Sequence, residues 1–162
     1  FVALLKKDGE AVQDVPAHGR PNKLPDELRA FLDELNFEIP SSDIVIQREN
    51  VYYIPPLAGN LKGLRTMRTG TLLGELKKNR FEPSQAFAMT LKDGQYSSQI
   101  NLKLSDDAVI RYLKGETIEV DESCVTGKNS MKLIMVDGFP LGWGKYNNGQ
   151  VKNKYLPGWR WM

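Results

Sequence analysis

Asn148-Gly149 stands between two short runs, Phe139 to Tyr146 and Gln150 to Tyr155, in which apolar and polar residues interleave with glycines. An Asn-Gly pair at such a junction supplies both left-handed residues of a two-residue turn whose twist matches that of paired strands. This part of the chain is therefore antiparallel β structure, and any fold has to be built around that hairpin. Further strands are predicted over Thr117 to Val120 and Lys132 to Val136. Between them and the preceding segment, Ser105 is expected to cap a helix over Asp106 to Lys114, with Gly115 as its terminator.

The same stretch carries chemistry. All three tryptophans, Trp143, Trp159 and Trp161, lie there, and no acidic residue follows Asp137. Lys145, Lys152, Lys154 and Arg160 are thus free to neutralise phosphates, and the aromatic rings between them offer faces for an unstacked base. The same rings also suit the core of a small β domain, which is the commoner use of large aromatics. Trp143 lies between Gly142 and Gly144, where absent side chains leave room for a ligand, and shares a strand face with Lys145. It is expected to stack on a base, while Trp159 and Trp161 are expected to cover the barrel.

Upstream, charge is segregated although the net value is only +2. From Leu24 to Asn50 seven acids (Asp26, Glu27, Asp33, Glu34, Glu38, Asp43, Glu49) face Arg29 and Arg48, whereas from Asn60 to Arg80 six cations (Lys62, Arg65, Arg68, Lys77, Lys78, Arg80) face Glu75 alone. Such a distribution suits one anion-binding surface and one that repels anions, the plain alternative being ordinary solvated faces. One cysteine, Cys124, and one histidine, His18, exclude an internal disulfide and a zinc site. Carboxylates precede Cys124 and disfavour a reactive thiolate. No stretch is apolar enough to span a membrane, so a soluble, cytoplasmic protein with neither membrane nor metal partner is expected.

Phe1 to Leu5 is predicted to be the final strand of a sheet whose remainder is missing, followed by a linker containing Pro16, Gly19 and Pro21. A helix is predicted from Pro25, with Leu28, Phe31, Leu32 and Leu35 on its buried face. Ile44 to Arg48 and Val51 to Ile54 are predicted to form a hairpin about Glu49-Asn50. A second hairpin is predicted over Gly63 to Lys78 with its turn near Thr69-Gly70, bringing Arg65, Arg68, Lys77, Lys78 and Arg80 to one side. A short helix over Gln85 to Leu91 follows, and Lys92-Asp93-Gly94-Gln95 marks a boundary between subdomains. The fold class is α+β: residues 1–23 a strand and linker, 24–94 a small unit of helices and β-hairpins, 95–162 a small β-barrel. Gly138 to Gly144 lacks the spacing and the following helix of a dinucleotide loop. No paired catalytic carboxylates, Ser-His-Asp set or P-loop is present, so the chain is predicted to be a binding module.

Gly70-Thr71-Leu72-Leu73-Gly74-Glu75-Leu76-Lys77-Lys78-Asn79-Arg80-Phe81-Glu82-Pro83-Ser84, followed in order by Tyr112-Leu113-Lys114-Gly115-Glu116-Thr117, Val136-Asp137-Gly138-Phe139-Pro140-Leu141-Gly142-Trp143-Gly144-Lys145 and Lys152-Asn153-Lys154-Tyr155, closely resembles the C-terminal region of RsmF-type rRNA cytosine methyltransferases of the Nop/Sun family. The resemblance runs from about Leu24 onward. It implies a first C-terminal domain and then a PUA-like RNA-binding barrel, with small-subunit (16S) rRNA as partner. It also implies an S-adenosylmethionine-dependent catalytic domain on the same polypeptide, to whose last strand Phe1 to Lys6 is similar. The Pro-Cys and Thr-Cys motifs of that family have no match here, so neither catalytic residues nor a cofactor site are expected within these residues. The expected RNA-binding residues are Arg65, Arg68, Lys77, Lys78, Arg80, Trp143, Lys145, Lys152, Asn153, Lys154, Tyr155 and Arg160. The competing classes are the PUA module of another RNA-modifying enzyme and a protein-interaction module.

Overall fold

The computed structural model describes residues 23–54 and 70–162. The predicted strand at Phe1 to Lys6 and its linker lie outside them, as do Arg65 and Arg68. Helix α1 (Asp26–Leu32) begins directly after Pro25, carries Asp26 and Glu27 at the positive end of its dipole, and buries Leu28 and Phe31. Four antiparallel strands follow in the order β1 (Ile44–Gln47), β2 (Asn50–Tyr53), β3 (Thr71–Lys77) and β4 (Arg80–Pro83). Ser84 then caps α2 (Gln85–Ala88) by accepting the Phe87 N–H at 3.0 Å.

The second sheet has the order β5-β7-β8-β9-β6, from β5 (Gln99–Leu102), β6 (Ile118–Glu119), β7 (Met131–Val136), β8 (Phe139–Asn147) and β9 (Gln150–Asn153). Helix α3 (Asp107–Leu113) lies between β5 and β6. β8 and β9 are joined through Asn148 and Gly149, whose φ values of 45° and 80° are those the turn requires. The fold is α+β, with few helices and a curled PUA-like sheet, as expected.

Alternation along β7 covers this sheet on both faces. Ile134 packs with Ile100, Val109, Tyr112, Ile118 and Val151 inside the curl. Its neighbours Leu133 and Met135 pack outward with Trp143, against Phe31, Phe87 and Leu73 of the first unit. The two sheets thus share a seam, closed by Gln85 of α2 donating to the Leu141 carbonyl at 2.8 Å. Gly142 is needed there. A Cβ at that position would lie 2.6 Å from Tyr112 Oη and 2.7 Å from Gln85 Oε1.

Several local expectations are corrected. The first turn falls at Arg48-Glu49, with Gln47 opposite Asn50 and Arg48 in the left-handed region at φ 58°, one residue earlier than its sequence suggests. The first arm of the hairpin predicted over Gly63 to Lys78 lies outside the described residues; its second arm pairs onward through a turn at Lys78-Asn79, with Asn79 at φ 56°, so Lys77 and Arg80 face each other across a β3–β4 hairpin. Asp106 rather than Ser105 occupies the N-cap of α3, its carboxylate accepting the Lys103 N–H at 2.8 Å. β5 has no counterpart among the predicted strands. It pairs in parallel with β7, and a parallel partner is brought in by a long crossover that leaves no local turn signal.

Candidate nucleic-acid interface

On β8 and β9, Lys145 lies directly opposite Lys152, and the Lys154 N–H bonds to the Trp143 carbonyl at 3.1 Å. Residues two apart on a strand share a face, so Trp143, Lys145, Lys152 and Lys154 all project from the same side of the sheet. That side is the one packed on the first unit. At its covered end Trp143 is 1% exposed, while beyond the cover the three lysines emerge into solvent.

They emerge into a groove of about 480 Å³ at the seam. Its opposite wall is Asn79, Arg80 and Glu82 from the β3–β4 hairpin with Glu27 of α1, and Phe31, Phe81 and Met131 supply apolar lining. Four cations, Arg80, Lys145, Lys152 and Lys154, therefore converge from two different sheets against two carboxylates, Glu27 and Glu82. Convergence of this kind is what holding a phosphate backbone in register requires.

Glu82 reaches from its wall to the other. Its Oε1 accepts from Arg80 Nε at 3.0 Å and from Lys154 Nζ at 3.4 Å, the latter joining β4 to the end of β9. Partial burial pushes its pKa up, but the Arg80 hydrogen bond and the Lys154 charge outweigh that and hold it below the ordinary carboxylate value. Lys145 and Lys152 form no ion pair among the described residues and are the groove's most available cations. Asn129 adds a polar group: its Oδ1 accepts the Met131 N–H at 3.0 Å, leaving its amide N–H groups free to donate. Sequence reasoning missed Asn79, Asn129 and Ser130 because nothing in their local pattern marks them as neighbours of the lysines.

The other expected site residues divide. Lys77 is neutralised by Glu75 at 2.5 Å and Glu49 at 3.9 Å, and the hydrogen bond it donates to the Glu75 carboxylate raises its pKa. Lys78 is exposed, makes no ion pair among the described residues, and lies outside the groove lining. The proposed stacking role of Trp143 is corrected: its ring meets Tyr96 edge-on at 5.1 Å and Phe31 at 5.7 Å, and Nε1 donates to the Ser84 carbonyl at 2.8 Å. No face remains for a base. The glycines beside it admit protein rather than ligand. Gly144 has the Val151 side chain against it, where a Cβ would approach to 2.4 Å.

Tyr155 and Asn153 are likewise structural. The Tyr155 ring is buried between Tyr112 at 5.5 Å and Trp159 at 6.3 Å. Asn153 Nδ2 donates to the Tyr112 carbonyl at 2.7 Å and the Glu116 carbonyl at 3.1 Å, and its Oδ1 accepts the Tyr155 N–H at 2.7 Å, pinning the end of α3. Trp159 and Trp161, expected to cover the barrel, are 50% and 54% exposed. Arg160 lies apart from the groove lining, against Gly115. Lys132, which the sequence does not distinguish from the exposed lysines, is buried and donates to the carbonyls of Thr126 at 2.6 Å and Gly127 at 2.9 Å. Burial lowers its pKa.

Among the described residues there is no cluster of metal-ligating side chains, and no helix is long and apolar enough to cross a membrane. Comparison with protein families gives two matches in chain order. A family model described as the RsmF rRNA methyltransferase first C-terminal domain matches residues 30–91, and one described as the methyltransferase RsmF PUA domain matches residues 99–161.

Proposed function

Since the chain belongs to the RsmF-type rRNA methyltransferases, of which it carries the C-terminal region with its PUA RNA-binding domain, we propose that it captures rRNA in the groove between its two sheets. The observation that carries this reading is the meeting of Arg80 with Lys145, Lys152 and Lys154 in one groove. Neither sheet holds that set alone, so the arrangement gives the two units a reason to pack rigidly. In the full reading, residues 24–94 and 95–162 form the two units, and together they position small-subunit (16S) rRNA in the cytoplasm for a catalytic domain of the same polypeptide. That domain transfers a methyl group from S-adenosylmethionine to C5 of a cytosine. The resemblance of the motifs supports these finer points.

The groove itself does not fit that cofactor. Four cations suit phosphate oxygens and repel a sulfonium, so no step of the transfer is assigned to the described residues. Cys124, the single cysteine, lies outside the groove lining and is assigned no part in the reaction.

The reading is tested by titrating a fluorescent single-stranded RNA with this chain at several salt concentrations. Binding that weakens with salt, and weakens further when Lys145 and Lys152 are replaced by alanine, is expected. RNA affinity indifferent to both salt and substitution would overturn it in favour of a protein-interaction module.

A further inference from the structure

Trp159 and Trp161 present half-exposed indoles on either side of Arg160. Exposing so much aromatic surface is unfavourable unless something covers it. The segment is nevertheless held in one place. Trp159 caps an aromatic ladder that starts at fully buried Tyr112 and passes through Tyr155. The Trp161 N–H bonds to the Leu113 carbonyl at 3.0 Å, tying the segment to the end of α3.

Arg160 is fixed as firmly. Gly115, at φ 84°, has no side chain to obstruct it, and a Cβ there would lie 2.4 Å from both Cδ and Nε of Arg160. Its Nη2 donates to the Tyr155 carbonyl at 3.3 Å, and it forms no ion pair among the described residues. That carbonyl belongs to the residue after Lys154, whose own side chain lines the groove, while this segment lies apart from the groove lining. A guanidinium held in place and flanked in sequence by two half-exposed indoles, in a stretch without a carboxylate, has the chemistry of a nucleotide contact: phosphate on the cation, base on a ring.

We propose that Trp159, Arg160 and Trp161 form a second RNA contact, apart from the groove lining, which takes an unpaired nucleotide. The proposal rests on the RNA-binding reading above. The base stacks on Trp159 and the phosphate lies against Arg160. Because a base inside a duplex has no free face, the contact selects single-stranded over double-stranded RNA, whereas the groove lysines serve either.

The test uses this chain with a fluorescent single-stranded oligouridylate and a duplex of equal length. Trp159→Ala is expected to weaken single-strand binding by between about 5-fold and 150-fold, the range for one lost base–aromatic stack, and to leave duplex binding unchanged. Trp159→Phe retains most of the affinity. Arg160→Ala, which leaves the ladder in place, is expected to lower the slope of log affinity against log salt by about 0.7. Single-strand affinity unaltered in Trp159→Ala, or an unaltered salt slope in Arg160→Ala, overturns the second contact. If Trp159→Ala also weakens duplex binding equally, or weakens capture of a protein partner but not RNA, the indole serves another purpose and the proposal likewise falls. The groove is judged separately, by Lys145→Ala with Lys152→Ala: if that variant alone loses affinity the groove reading stands without the second contact, and if the unsubstituted chain binds no RNA both readings fail.

Discussion

The indole N–H of Trp143 donates to the main-chain carbonyl of Ser84 at 2.8 Å, across 59 positions of sequence. Ser84 is also the cap of α2. One hydrogen bond therefore links the central strand of the curled sheet to the start of the helix that packs on it. Trp143 is a fastener between the two units, which explains why a ring flanked by glycines and followed by a lysine is unavailable to RNA.

Replacing Trp143 by alanine is accordingly expected to cost about 3–5 kcal/mol, the range for a large buried aromatic, and to leave the Ser84 carbonyl without that donor. Trp159→Ala is expected to cost no more than about 1.5 kcal/mol, since its main packing contact is one edge-on aromatic pair. Urea unfolding of both variants decides the matter. Equal destabilisation would contradict the burial difference.

The groove cations differ in how fully they are committed elsewhere. Lys145→Ala with Lys152→Ala should reduce the salt slope of RNA binding by about 1.4 to 1.8, as two phosphate contacts would. Lys77→Ala should leave it nearly unchanged, because Glu75 and Glu49 already occupy that ammonium. Affinities measured across a series of salt concentrations distinguish these outcomes.

Glu82 competes with phosphate for Arg80 and Lys154. Glu82→Gln is expected to tighten RNA binding and steepen its salt dependence. In stability the effect has the opposite sign. A carboxylate whose pKa is depressed by folding stabilises the folded state above its unfolded value, and that contribution disappears as pH falls through the lower folded value. Being partly exposed, the pair is worth no more than about 1 kcal/mol. Thermal unfolding between pH 7 and pH 3 should therefore show a smaller acid loss for Glu82→Gln than for the unsubstituted chain.

Gly142→Ala should loosen the seam. The added methyl meets Tyr112 Oη and Gln85 Oε1 at well under contact distance, and overpacking of that kind typically costs about 1–3 kcal/mol. The Tyr112 hydroxyl donates to the Trp143 carbonyl at 2.8 Å, so near-ultraviolet circular dichroism of the aromatic core should change in the same variant. A spectrum and melting temperature identical to those of the unsubstituted chain would show that the seam relaxes without cost.

Features decided within a few residues are legible in the sequence alone. Asn148-Gly149 forms its turn, Gly115 ends α3 and Pro25 opens α1, because each follows from the backbone preferences of the residues present. The ordered motifs around Arg80 and Trp143 also identify the family. Along β8 the alternation correctly puts Trp143 and Lys145 on one face. It does not say what covers that face, since a strand's periodicity sorts its sides while the neighbouring unit determines which side meets water. Only the tertiary structure sends Trp143 inward and leaves Trp159 exposed, neutralises Lys77 with Glu75, and brings Arg80 of one sheet beside Lys152 and Lys154 of the other. Burial and charge pairing depend on contacts between residues far apart in the chain, and those distances exist only once the two sheets have packed.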